Sequence, residues 1–562
     1  MGLDLSRLAV SLSLVTFIVA SRTALAQMPI GAGGQIQQIP PAPVLEKPIP
    51  ELPIPARPAP GAALPSGARF PVKRLRVSGE TQYSEVELTA VAEFKPNDAM
   101  TLPELRAMAE RITSYYNQKG FFLAQAYLPP QDITDGTVTI AVLEGLYGEI
   151  NLRDQAPVSD VVFTKILRGL NRGDLVNSAP LERRLLIISD VPGVTVRSTL
   201  SPGSVVGTSD LTVDVTPAER LNGTVEASNW GNPYTGAYLL GGSINYNEPL
   251  GIGDVVGARI LGSTTGGLAY GRVYYQTQVQ DWTVGVAVTA LDYYLGKQFT
   301  ALNAHGTEEI GSVYASYPLI RSYDNNLNIL FDFDERLFED DIGVTSTDVG
   351  KHASVLTVQL SGDSHDSFGG GGWNAYSVAG VFGDLDIETS SARAADAAGP
   401  RTNGAYAKLV GGASRLQNVI GPLSVFGSIR GQVATKNLDI SEKMELGGAS
   451  GVRAFPEGEA YGDQGYIATV EARLLLPPLP PRLPGRVQLI AFVDTGYVTV
   501  NYAPYGGGPN DLTRSGAGVG IIWSDPNNFA VTVTYAYPIG GTKATSYPDD
   551  SGQLWVKLVK YF

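Results

Sequence analysis

Residues 444–466 read M-E-L-G-G-A-S-G-V-R-A-F-P-E-G-E-A-Y-G-D-Q-G-Y. A stretch this rich in glycine is too long for a simple turn. It lies between two alternating segments, 423–433 and 466–475, which predict β-strands. Near its middle, Arg453 stands among apolar neighbours, Val452, Ala454 and Phe455. Further on, Phe492, Asp494 and Gly496 alternate along another strand-like segment. A cation on a long loop and an anion on a strand, in a chain full of alternating segments, predict a loop folded back into a barrel. The spacing alone also admits a solvated surface loop whose arginine has no partner.

The phase of the strands favours the first reading. Val487, Leu489, Ala491 and Val493 share one face, which leaves Phe492, Asp494 and Gly496 on the other. On the next segment Gly516, Gly518 and Gly520 oppose Ala517, Val519, Ile521 and Trp523. The preceding segment puts Glu471 and Arg473 on the face of Asp494. The wall beside Asp494 is therefore stripped of side chains, and something can lie against it. A charge-assisted Arg453–Asp494 pair would hold the loop there.

Alternation of this kind runs from about residue 219 to the end at 562. Trp282, Val284, Val286, Val288 and Ala290 form one face against Thr283, Gly285, Ala287 and Thr289. Phe529, Val531, Val533, Tyr535 and Tyr537 do the same, as do Leu327, Ile329, Phe331 and Phe333. One face is apolar with aromatic ends, as at a membrane interface. The other is small or polar, as for a watery lumen. At roughly 20 residues per strand and connection, this region holds about 16 strands. Outside the first 26 residues no apolar run is long enough for a membrane helix, so a membrane-inserted form must be a closed barrel.

The N-terminal part is organised differently. Residues 1–26 carry Arg7, an apolar run and Ala24-Leu25-Ala26, the pattern of a cleaved secretory signal. Residues 27–69 are proline-rich and predict an extended spacer. Residues 70–145 and 146–218 repeat one order: strand, helix, helix, strand, strand. In the first, Thr101 and Glu104 have the spacing of a capping box, and Leu105, Met108, Ala109, Ile112 and Tyr116 form one helical stripe. The fold class is thus mainly β, a barrel preceded by two small α+β modules.

The chain has 562 residues, no cysteine and a net charge of −14, which excludes thiolate chemistry and disfavours nucleic acid as a partner. No phosphate-binding Gly-rich signature occurs. His365 with Asp363 and Asp366 is the nearest thing to a metal set, but it reads as a solvated loop. No catalytic constellation, cofactor or resident metal is expected.

The motifs then meet a family. The chain resembles the outer-membrane transporters of two-partner secretion, the haemolysin and filamentous-haemagglutinin secretion and activation family of the POTRA–barrel superfamily. The two modules resemble tandem POTRA domains, through Tyr115-Tyr116-Asn117-Gln118-Lys119-Gly120-Phe121, Leu128-Pro129-Pro130, Glu144-Gly145 and Leu200-Ser201-Pro202-Gly203. Asn229-Trp230-Gly231-Asn232-Pro233-Tyr234 and Asn247-Glu248-Pro249-Leu250-Gly251 are similar to the family's first barrel strands. Val452-Arg453-Ala454-Phe455 matches its Val-Arg-Gly-Phe/Tyr loop tip, with alanine in place of glycine, and Phe492-x-Asp494-x-Gly496 matches its inner-wall motif.

The resemblance implies a monomeric, lipid-embedded pore in the cell outer membrane, with its N-terminal modules in the periplasm. Those modules would capture a dedicated large exoprotein, an adhesin or cytolysin, for unfolded export. An insertase of the same superfamily and a passive porin are the alternatives. Some members carry an N-terminal helix that plugs the pore. Here Pro29, Gly31, Gly33 and Gly34 predict that no stable plug helix forms.

Overall fold

The computed structural model describes residues 31–44, 50, 69–133, 135–546 and 551–562. The expected signal segment and most of the expected spacer lie outside the described residues. In the first module, strand Arg74–Ser78 runs parallel to Thr137–Leu143, with Gln125–Tyr127 antiparallel on the far side. Helices Glu85–Val91 and Leu102–Gln118 complete it. Thr101 and Glu104 form the reciprocal capping box. The stripe from Leu105 to Tyr116 joins Val77, Val138 and Ile140 in one apolar core. The second module repeats this with strands Leu146–Asp154, Val194–Pro202 and Thr208–Pro217 and helices Asp160–Ile166 and Ser178–Asp190. Its core is separate, built on Phe163, Leu181, Leu185 and Val213.

The remainder is a closed barrel of sixteen antiparallel strands, from Leu221–Ser228 to Gln553–Tyr561, shut by pairing of the last strand with the first. Closure leaves no sheet edge, which is what a lipid environment demands of strands. The phase is the one read from the sequence. Val286, Val288, Tyr535, Tyr537, Leu554 and Leu558 face outward and are exposed, while Ala287, Thr289, Trp555 and Val559 face inward and are buried. Among the described residues no helix is long and apolar enough to cross a membrane.

Two expectations fail inside the barrel. The first is the watery lumen. At the external end, inward residues Leu261, Leu291, Tyr293, Phe338, Val355 and Leu385 form a packed apolar core. The second is the plug. Residues Ala32–Ile36 form a short helix within the lumen, with Ala32 and Gln35 almost fully buried. Its glycines do not prevent this, because they serve close packing. A Cβ on Gly33 would collide with Ser441, and would come within 3.1 Å of the Phe338 ring. Asp340 accepts the first free backbone N–H, that of Ala32, at 2.8 Å. Ile36 and Ile39 pack on the inner core. Gln37 donates to the Ile440 carbonyl at 3.0 Å, Gln38 donates to the Tyr461 hydroxyl, and Arg259 donates to the Pro40 carbonyl at 2.8 Å. Intrinsic helix propensity is a weak prior beside so much tertiary burial.

The second module docks on the opposite, short-turn end of the barrel. Arg321 makes a two-bond fork to Asp190, at 2.9 and 2.8 Å. Arg183 and Arg184 both reach Asp281, at 3.0 and 2.9 Å. Ser159 donates its backbone N–H to the Gly251 carbonyl at 2.8 Å.

In the first module, Glu144 ties the turn before the first helix to the sheet. It accepts from the backbone N–H groups of Thr81 and Gln82 and from the Tyr116 hydroxyl, each at 2.8 Å. Burial pushes its carboxyl up, but the hydrogen bonds from Thr81 and Gln82 outweigh this and hold it below its ordinary value. Glu144→Gln is therefore expected to cost the 70–217 fragment about 1–3 kcal/mol at pH 7 in urea unfolding. A lowered folded pKa gives stability that is present above the unfolded value and lost as pH falls through the folded one. The two proteins should thus converge in acid; equal stability at pH 7 would refute the role given to Glu144.

Candidate functional site

The connection between strands Leu423–Ala434 and Gln464–Leu475 turns into the barrel instead of standing clear of it. A two-rung ladder, Met444–Glu445 with Tyr461–Gly462, narrows it into a stalk that the alternation pattern does not reveal. At the tip Val452, Ala454 and Phe455 are 0%, 2% and 0% exposed, packed with Leu446, Ile467, Ile490 and Phe492. Apolar burial therefore carries the tip to the wall, and polar contacts fix its register.

Arg453 is the centre of those contacts. Its guanidinium forks onto Asp494, Nε to Oδ2 at 2.9 Å and Nη2 to Oδ1 at 2.8 Å. Its backbone N–H also reaches Asp494, at 3.2 Å. The remaining Nη1 donates to Glu471 at 2.7 Å. The plane stacks on the Phe492 ring, 3.4 Å from its centroid. Asp494, fully buried, also accepts from Thr469 at 2.9 Å, and Glu471 is shared with Arg473 at 2.8 Å. Trp555 donates to the Arg453 carbonyl at 2.7 Å. A buried cation with two buried carboxylates is stable only when well hydrogen-bonded, and here all three guanidinium nitrogens donate to a carboxylate.

The structure thus brings Val452, Arg453, Phe455, Phe492 and Asp494 together. Of the wall glycines, Gly516 lies under Ala454 and Gly518 under the Phe492 ring, so a Cβ at either would collide. A Cβ on Gly496 would sit 2.7 Å from Leu446 of the stalk. Gly518 and Gly520 therefore differ from Gly516: their neighbours, Phe492 and Tyr535 for the one and Val533, Thr534 and Ile490 for the other, belong to the wall and not to the loop. Ala454 tolerates the loss of glycine because its φ is not positive; the left-handed positions here are Gly448, Gly458 and Ala460.

Sequence reasoning placed Glu471 inside but did not assign it to Arg453. It missed Thr469 and Trp555 altogether. Trp555 could have been found, since the phase of the last strand turns its indole inward. A further pair, Glu459 with Arg514, joined at 2.7 Å through Nε, carried no recognisable signal. The three groups once considered for a metal are engaged elsewhere or exposed: Asp366 holds Arg415 at 2.6 and 2.9 Å, and Asp363 accepts from Asn326 at 3.1 Å. Among the described residues no cluster of three or more such ligands occurs.

Known proteins resemble this chain in sequence and fold. The profile described as POTRA domain, ShlB-type, matches residues 70–145, and that described as haemolysin secretion/activation protein ShlB/FhaC/HecB matches residues 207–522. The heme/hemopexin transporter protein HuxB of Haemophilus influenzae is 27% identical over 511 residues, 88% of each chain. The outer membrane transporter CdiB of Dickeya dadantii is 22% identical over 441 residues, 77% of each. Among solved structures, CdiB from Escherichia coli superposes with a TM-score of 0.70 at 20% identity, covering 91% of this chain and 94% of that one. BamA from Haemophilus ducreyi, lacking POTRA domains 1–3, gives 0.52 at 14% identity, over 88% and 100%. These structural likenesses speak for the fold.

The close approach at Gly516 gives a direct test of the seated tip. Gly516→Val should push Ala454 off the wall, strip Arg453 from Asp494 and leave the sixteen-stranded barrel assembled. A sole cysteine at Val452, which is 0% exposed in the seated tip, should then react with a soluble maleimide at least about tenfold faster than in the Gly516 parent, the effect of weakening closure by ~1.4 kcal/mol. An unchanged rate would mean that the tip does not rest on this wall.

Proposed function

The chain belongs to the haemolysin secretion/activation protein family ShlB/FhaC/HecB, and from that premise we propose that it exports one large, dedicated exoprotein through a lumen gated by the Arg453 loop. Its barrel is an outer-membrane transporter, and its POTRA modules stand in the periplasm. The observation that carries the gating role is the Arg453–Asp494–Glu471 cluster inside a closed barrel. Glycine at Gly516 and Gly496 leaves the wall bare where Ala454 and Leu446 of the loop rest, so the seat is built for the loop. Seated, the tip and the Gly31–Pro40 segment both occupy the lumen.

The periplasmic modules receive the exoprotein as an extended chain. Strand Val194–Pro202 is the edge of its sheet and has one paired side only. Such an edge takes up an incoming strand through backbone hydrogen bonds, which read no sequence and so suit an unfolded cargo. Val205 and Val206, 58% and 89% exposed at the end of that strand, add an apolar contact. The chain works as a lipid-embedded monomer without catalysis, and folding of the cargo outside supplies the drive. Isothermal titration of fragment 70–217 against the N-terminal region of the exoprotein recovered from the medium tests the capture step. Binding in the micromolar range is expected, and none at high micromolar concentration would remove the modules from the mechanism.

The lock is tested by export, measured as cargo in the medium per assembled barrel. Removing one member of a buried pair typically costs about 3–5 kcal/mol, and less where water can enter. Arg453→Ala should be the most damaging single change, since Asp494 keeps only Thr469 and a backbone N–H. Asp494→Ala leaves Arg453 its Glu471 partner and should be milder, although still strongly reduced. The double variant should be no worse than Arg453→Ala, because both changes remove one interaction. Wild-type export by both singles would return the loop to a packing role.

A further inference from the structure

Beyond the Arg453 lock, a second fully buried carboxylate sits on the returning limb of the same loop and faces the external mouth. Glu459 is 0% exposed and accepts four hydrogen bonds. One comes from Arg514 Nε at 2.7 Å, whose Nη2 adds an ion-pair contact at 2.6 Å. The other three come from the connection between the last two strands: the backbone N–H of Thr545 at 2.9 Å, its hydroxyl at 2.9 Å, and the backbone N–H of Ser546 at 2.7 Å. Residues 544–546 of that connection lie against the loop. Ala544 packs against the apolar cluster of the loop tip, and Ser546 is 6% exposed.

Ser546 is also held from the other side. The Ser546 carbonyl accepts from the Tyr234 hydroxyl, which itself accepts from Gln298 at 2.9 Å. The Tyr234 ring meets Phe299 edge-on at 4.8 Å. One short segment, Thr545-Ser546, therefore ties the tip loop to two other external connections. At its root lie Gly540 and Gly541, both at positive φ and both in open space. Such a pair turns without steric penalty, so the segment can swing as a flap.

We propose that residues 540–546 form an external cap and that Glu459 is the positioning residue that holds it shut over the loop tip, so that export requires this contact to open. The proposal rests on the export reading above. Its electrostatics suit a reversible latch. When the cap leaves, Glu459 keeps Arg514, so no charge is orphaned, and its other three lone-pair contacts pass to water. Arg514 also lies over the Phe455 ring, 5.4 Å from its centroid, so the latch and the tip share a wall residue. Movement of the tip is then felt at the cap.

The chain has no cysteine, so introduced thiols are unique. With Ser546→Cys as the sole thiol, intact cells are treated with an impermeant maleimide-polyethylene glycol. Labelling should be slow at rest, about tenfold faster when Glu459→Gln is added, and slow again with Glu459→Asp, which keeps the charge. A second pair, Tyr234→Cys with Ser546→Cys, is bridged by a short bis-methanethiosulfonate. Bridged protein should stop releasing its exoprotein into the medium, and reductant should restore export. Labelling indifferent to Glu459→Gln, or full export while bridged, overturns the cap. If the unbridged protein exports nothing while its barrel is assembled, the export reading itself fails, and the cap with it.

Discussion

A closed barrel of sixteen strands is too wide for its own side chains to fill. Small barrels of about eight strands close their interiors with wall residues, whereas wide ones leave a channel. Most of what is distinctive in this chain answers that constraint. The lumen needs material from elsewhere, and it takes two pieces: a long loop from the external end and a segment from the N-terminus. Each is seated by the same means. Apolar residues bury against the inward face, Phe455 and Val452 in one case and Ile36 and Ile39 in the other. A buried wall carboxylate then fixes the position, Asp494 for the loop and Asp340 for the N-terminal segment. The barrel wall is thus less a container than a template, with anions placed where removable pieces must stop.

The inward charges also explain why the filling is specific yet reversible. A purely apolar plug would resemble a domain core and would not leave. Paired, hydrogen-bonded charges contribute little net stability over an apolar replacement, but they penalise every misplaced arrangement. Arg453, with five donors in a fixed plane, is suited to meeting two carboxylates and an aromatic face at once. A lysine could not satisfy Asp494 in two places and Glu471 in a third.

Period-two alternation made the barrel legible, because lipid outside and protein inside impose opposite demands on successive residues. It even placed Asp494, Glu471 and the glycines on the inner wall before any partner was known. The resemblance at Val452-Arg453-Ala454-Phe455 then supplied the pairing that phase alone left open. What escaped was tertiary. The Gly31–Gly34 run looks hostile to a helix, and only the shape of Ser441 and Phe338 beside Gly33 explains why glycine is wanted there. Leu261, Leu291 and Leu385 break the small-or-polar pattern because they face the plug and not water. Glu459 meets Thr545 and Ser546, two backbone donors in an irregular connection, and backbone donors leave no trace in a sequence.

The N-terminal segment has one more property, set by covalent length. Roughly 30 residues separate Pro40, which is held by Arg259, from the first strand of the periplasmic modules, and such a chain extends to at most ~100 Å. A membrane-spanning strand is far shorter. The segment can therefore leave the lumen completely while the modules stay bound to the barrel through Arg321 and Asp281. It behaves as an intramolecular ligand whose effective concentration is fixed by its tether, in the millimolar range for short flexible links and falling as the link lengthens. Any chain that enters the lumen must displace the segment against that concentration, which the length of the proline-rich stretch sets.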